Sequence, residues 1–285
     1  MPPLGRALIC WILLGWGAIP LSEAQSASQT ASVAAASPDP TIDRLLTEAV
    51  RLQSEYHESE ALAVYEQVLS KAPATYEALW QASVLSIRIG SRYTDETRKS
   101  AYFSAARLYA NRALVVRPNG AEGHYAEALC LATQAPLLTA RGRLLAYREM
   151  REHVFRATEL RPQWSDAWQL LGRWHYRVDH YNILERIFSR VFLGGMPTGA
   201  STFMAIDALR KAHELDPHRI QYAYDLARVY LNRGQQTRAT AVLQEAVTLT
   251  PVTVDELETS RRCRRMLELL NRKLRRQVHR HLKKL

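Results

Sequence analysis

A chain of 285 residues with 47% hydrophobic side chains can bury a sizeable core, which excludes a chain disordered throughout. Only 12 glycines, many Ala, Leu, Arg and Glu, and few β-branched runs favour helix over sheet, because straight-chain side chains lose little rotamer freedom in a helix. The net charge of +10 is localised: eleven of the 38 basic residues and one of the 28 acidic ones fall between Arg261 and Leu285, so the remainder is neutral and carries a basic tail.

In chain order, residues 1–24 have the build of a secretory signal: Arg6, an uncharged stretch from Ala7 to Leu21, then small residues at Ser22 and Ala24 that suit a signal peptidase. That stretch is interrupted by Pro20 and falls short of the ~20 residues that span a bilayer as a helix. The expectation is export, to a periplasm or the extracellular space; the rival is a membrane anchor left uncleaved. Cys10 follows no lipobox and lies too early in the apolar run for lipid attachment. Residues 25–40, rich in Ser and Ala, read as a flexible linker.

A repeat array over residues 41–253 follows. Its clearest unit runs from Ile220 to Pro251. With Ile220 as position 1, Leu226 and Ala227 fall at 7 and 8, Tyr230 at 11, Gly234 at 15, Ala239 at 20, Leu243 at 24, Ala246 at 27 and Pro251 at 32. Small residues at 8, 20 and 27 let two helices approach closely, bulky ones fill the space between them, and proline ends the second helix. Earlier units follow the same logic. The first has Ala61, Tyr65 and Pro73 in place but a poor first helix; the second ends at Pro118 and the third at Pro162, each with an insertion between its helices. The fourth opens with WQLLGRWHYRV, placing Trp168, Leu171, Gly172 and His175 at W-x2-L-G-x2-Y spacing. Its second helix arrives after about twenty inserted residues, with Ala205, Leu209, Ala212 and Pro217 in register.

These are the signature positions of a tetratricopeptide repeat, and the chain resembles proteins of that class. Four features in succession narrow the likeness: an ELRP turn, a W-x-x-x-G-x-W-x-Y helix, an amphipathic insertion ending in GGMPTGAS, and an Ala-rich helix ending in ELDP. Over roughly residues 75–250 the chain thereby resembles the regulator of microtubule dynamics family of repeat proteins. The resemblance implies repeats that bind protein partners, microtubules among them. The fold expected is an all-α, right-handed superhelix of about five helical hairpins with inserted segments and a C-terminal capping helix.

Nothing in the chain points to catalysis. His175 and His180 are five residues apart, about 140° around a helix, so they cannot ligate one metal from the same face; His213 and His218 share the spacing and the problem. There is no HExxH, GxSxG, phosphate loop or GxGxxG. His175 therefore reads as a packed interhelical residue. Cys130 and Cys263 lack CxxC spacing and give neither a metal site nor a dense disulfide framework; one bridge between them is left open, and Cys130 reads more simply as a small buried residue. No cofactor and no enzyme activity are expected.

The insertion YNILERIFSRVFLGG puts Ile183, Ile187 and Val191 on one helical stripe and Leu184 and Phe188 on an adjoining one, with Glu185, Arg186 and Arg190 between. Such an amphipathic helix either packs back on the array or offers its apolar face to a partner or membrane surface.

In a repeat array one face of each first helix lines the concave side. Here that face includes Gln81, Arg88, Tyr125, Gln169, Arg173, Arg177, Tyr224, Arg228 and Asn232. Arg173 and Arg177 are one turn apart, and guanidinium forks suit carboxylates, so an acidic segment or a chain terminus fits as ligand. The reading is a non-enzymatic scaffold that binds a protein or peptide in its concave groove. The alternative is an anionic-surface binder working through the helix of residues 254–285. There Met266, Leu270, Leu274, Val278 and Leu282 recur every four residues and the first part caps the last repeat, while Arg272, Lys273, Arg275, Arg276, Arg280, Lys283 and Lys284 are free for membrane or polyanion.

Overall fold

The computed structural model describes residues 40–282 except Met196 and Thr198, with side chains up to residue 276. The signal and linker expectations, apart from Pro40, lie outside the described residues, as do the side chains of Arg280, Lys283 and Lys284. Among the described residues there are twelve α-helices, one short 3-10 turn at Ala135–Leu137 and no strand.

Ten of the helices pair into five hairpins. These are α1 (Pro40–Ser54) with α2 (Glu58–Lys71), α3 (Tyr76–Ser91) with α4 (Glu96–Val116), α5 (Ala121–Gln134) with α6 (Ala140–Leu160), α7 (Ser165–Asp179) with α9 (Thr202–Leu215), and α10 (Ile220–Asn232) with α11 (Gln236–Thr248). Helix α8 (Ile183–Phe192) occupies the gap in the fourth hairpin, and α12 (Val254–Leu282) follows the last. First helices stack on first helices along the array, which is the stacking of an all-α repeat solenoid.

The periodic prolines act as expected. Arg117, Arg161 and Asp216, each just before a proline, leave the helical region for extended ψ values of 87°, 76° and 86°, as the clash with the proline ring requires. Gly234, at the turn between α10 and α11, has φ of +72°, a left-handed conformation that glycine adopts without a Cβ penalty. At Gly172 the need is for space: a Cβ there would sit 2.5 Å from Leu209 Cγ and 3.1 Å from the carbonyl oxygen of Ala205.

The insertions of the second and third units do not form loops. They extend the second helices, so that α4 and α6 each run 21 residues against 16 and 14 for α3 and α5. New N-caps mark where they start: Asp95 accepts from the Arg98 N–H, and Thr139 from the Gly142 N–H. The poor first helix of unit one is nonetheless helical, with Ala49 and Leu52 buried against α2.

Three apolar clusters run along the array. One joins the first two hairpins, one fills the middle, and one sits under the last hairpin and α12. On α12, Cys263 is fully buried and Met266, Leu267 and Leu270 pack on the last hairpin, whereas Leu274 is 59% exposed. The helix thus caps the array with its first half and outruns it with its second. The array also coils enough for its two ends to meet. Arg92, just past α3, forms an ion pair with the Glu58 carboxylate at 2.7 Å and donates to Asp255 at the start of α12 at 3.4 Å.

Candidate functional site

The aromatic stretch of α7 is core. Trp174 is fully buried and donates its indole N–H to the Tyr147 carbonyl at 2.8 Å. His175, 1% exposed, lies edge-on to Trp174 and Phe155 at centroid distances of 5.0 and 5.6 Å. Burial, with a smaller contribution from the positive charge of Arg151, pushes its pKa down to about 4, so it is a neutral packed ring at ordinary pH. Trp168 points outward enough to donate to the Pro162 carbonyl, closing the preceding turn. Cys130 and Cys263 are both free thiols and both buried.

The groove residues divide into separate neighbourhoods. Arg173, Arg177 and Arg228 line one cavity of about 200 Å³, between α7 and α10, together with Tyr147, Trp174 and Asp225. Gln169 holds the Asp225 of that lining, donating to its Oδ2 at 2.6 Å, both residues being buried. Tyr224 lies half-buried beneath the Arg228 guanidinium, 5.6 Å from ring centroid to charge. Asn232, at the end of the same helix, accepts from His180 Nε2 at 2.9 Å. Arg88 is elsewhere: it faces Glu58 at 3.4 Å in the cavity where the two ends of the array meet. Gln81 is bound by Gln53 and Glu77. Tyr125 is 7% exposed and packs on Trp164 at 4.5 Å; burial pushes its phenol well above the ordinary range.

The two arginines one turn apart differ in what they hold. Arg177 already grips Glu185 of α8 at 2.7 Å and lies over the rings of Tyr147 and Tyr181. Burial pushes the Glu185 carboxyl up, but hydrogen bonds from Arg177 and the Asn182 N–H and the charges of Arg177 and Arg143 outweigh it and hold the pKa below its ordinary value. Arg173 is exposed and has no hydrogen-bond or ion-pair partner among the described residues, and Arg228 reaches Asp225 only at 3.9 Å. The cations left available in the cavity are therefore Arg173 and Arg228, on neighbouring first helices.

Asp225 and Glu185 are the residues that sequence reasoning left out of the site. Asp225 sits three residues before Arg228 on one helix, a spacing that brings side chains together and could have drawn attention to it. Glu185 was visible as the lone acid of the amphipathic insertion, but its partners lie on other helices. Among the described residues no three His, Cys, Asp or Glu side chains are grouped as a metal ion would need, and no helix is long and apolar enough to cross a membrane.

On the basic tail, Arg272, Lys273, Arg275 and Arg276 are exposed, with only Glu268 nearby, 3.6 Å from Arg272.

Comparison with known proteins agrees with this architecture. A thermophilic tetratricopeptide-repeat protein of Thermus thermophilus superposes with a TM-score of 0.58 at 15% identity, covering 78% of this chain and 98% of that one. Regulator of microtubule dynamics protein 3 of Xenopus laevis is 27% identical over 192 residues, 67% of this chain and 41% of the relative. Protein 1 of Bos taurus is 25% identical over 197 residues, 68% and 61% respectively, so the chain spans only part of either relative's length. The family model for regulator of microtubule dynamics proteins 1-3 matches residues 45–271, from within α1 through the fifth hairpin to the capping half of α12. With that match across most of its length, this tetratricopeptide-type repeat solenoid belongs to the regulator of microtubule dynamics family.

Proposed function

We propose that the chain is a non-enzymatic scaffold that captures an acidic segment of a protein partner in the cavity between α7 and α10. What supports this is the pairing of Arg173 and Arg228 there, one without a carboxylate partner and the other only loosely held, beside the half-buried Tyr176. Guanidinium forks bind carboxylates through paired, charge-assisted hydrogen bonds and select planar anions over other groups. Asp225 at the base, tied down by Gln169, sets a limit: a ligand must place its carboxylates toward the arginines and away from the floor. The relatives are named for microtubule dynamics; for this chain a microtubule-associated segment is one source of such a ligand.

The test is fluorescence anisotropy with a labelled glutamate-rich peptide, comparing the wild-type chain with Arg173→Glu/Arg228→Glu. Because both proteins keep the basic tail, any difference reads the cavity alone. Charge-assisted bonds contribute about 1.5–3 kcal/mol each, so the double variant should bind at least about tenfold more weakly. Equal affinity would sink the reading.

A further inference from the structure

Helix α8 is mounted inside out. Its single acid, Glu185, is 5% exposed and faces inward to Arg177 and Arg143, and Ser189 is 2% exposed and donates to the Gly195 carbonyl. The apolar stripe faces solvent: Ile183 is 76% exposed, Leu184 78%, Ile187 55% and Val191 65%. A capping box from Asn182 and Glu185 fixes where the helix starts, and the ion pairs to α6 and α7 fix which face is presented. Inward, Phe188 packs part-buried on the core beside the buried Glu185 and Ser189, while the aliphatic stripe stays outside. The array spends a buried ion-pair cluster on displaying four large aliphatic side chains.

We propose that this face docks α8 flat on an anionic lipid surface. The charges around the stripe complement such a surface. Along one flank of the stripe run Arg186 and Arg190, and the outward side of α8 carries no carboxylate at all. Arg190 has no hydrogen-bond or ion-pair partner among the described residues. Arg186 donates only to the backbone carbonyls of Asp179 and Tyr181, and the Asp179 carboxylate is taken up by Thr202. An apolar face with arginines on its rim matches the boundary between headgroups and acyl chains: the aliphatic side chains enter, and the guanidinium groups stay among the phosphates. A second copy fits poorly, because a two-fold interface would set these arginines against each other with no acid between them. At ten residues the helix is too short to span a bilayer, and lying in the interface is the arrangement left to it.

The test uses a probe local to α8, since the N-terminal apolar stretch and the basic tail could each bring the full chain to vesicles. With Cys10→Ser and Ile187→Cys, residue 187 is the accessible thiol, Cys130 and Cys263 being fully buried; it is labelled with bimane. A control carries the label at Ser70→Cys, exposed on α2. Adding vesicles of equal parts phosphatidylcholine and phosphatidylserine should shift the residue-187 emission to the blue, weakly or not at all with pure phosphatidylcholine, and not at the control position. Arg190→Glu should reduce the shift, and so should raised salt. No shift at residue 187, or an equal shift at residue 70, overturns the proposal. So does a blue shift that grows with protein concentration in the absence of vesicles, which would assign the face to a second copy.

Discussion

Gln169 on α7 donates to Asp225 on α10 across 2.6 Å, joining the first helices of the fourth and fifth hairpins through a buried polar pair 56 residues apart in the chain. The contact ties down the Asp225 carboxylate in the cavity that Arg173 and Arg228 also line. Gln169→Leu should leave the Asp225 carboxylate buried with only a distant arginine, at a cost of about 1–3 kcal/mol in chemical denaturation. Gln169→Leu with Asp225→Leu should cost less than the two single changes added together; strict additivity would show that the pair is not coupled.

Gly172→Ala tests the closest helix approach of the fourth hairpin. The added methyl meets Leu209 and the Ala205 carbonyl, and overpacking of this kind costs about 1–3 kcal/mol. The melting temperature should fall. An unchanged value would mean that α7 and α9 do not pack as described.

His175 should make the protein sensitive to acid. Its folded pKa, about 4, lies below the ordinary 6.5, so the unfolded chain binds a proton more readily. Stability from this residue is full above pH 6.5 and is lost as pH falls toward 4, by up to about 3 kcal/mol. His124 and His153, whose Nδ1 atoms lie 3.0 Å apart, are also shifted down by burial and add to the same trend. Denaturation measured between pH 4 and 7 should show a smaller slope for His175→Phe than for wild type.

Arg177 holds α8 in place. Arg177→Leu should leave Glu185 with Arg143 at 3.4 Å as its remaining cation, and loosen α8 locally with little change in the global melting temperature. Limited proteolysis reads this directly: cleavage between residues 180 and 201 should quicken while the hairpins stay protected.

A chain ending at Asn271 keeps Cys263, Met266, Leu267 and Leu270, which cover the last hairpin, and lacks seven basic residues. It should melt near the wild-type temperature but elute earlier from a heparin column, at lower salt, because fewer counterions are released on binding. Equal elution would remove the tail from any role at anionic surfaces.

The repeat architecture was legible in the sequence because it rests on local, periodic requirements. A glycine at position 8, alanines at 20 and 27, and a proline at 32 each answer to one steric condition within one hairpin, and Gly172, Ala239, Ala246 and Pro217 meet those conditions in space. The cap was legible for the same reason, since a four-residue stripe on α12 can only cover the end it follows. What the tertiary structure alone decided is how charges from different hairpins are spent. Arg173 and Arg177 look alike on a helical wheel, yet one is free and the other is committed to Glu185, because α8 folds back at that point. Tyr125 lies on the face that lines the groove and is buried there by Trp164 of the next unit. The amphipathic pattern of α8 was plain from its spacing, but pattern fixes only that two faces differ. Which face turns inward goes with partners on other helices: Arg143 and Arg177 take the Glu185 carboxylate and the core takes Phe188, which leaves the aliphatic stripe outside.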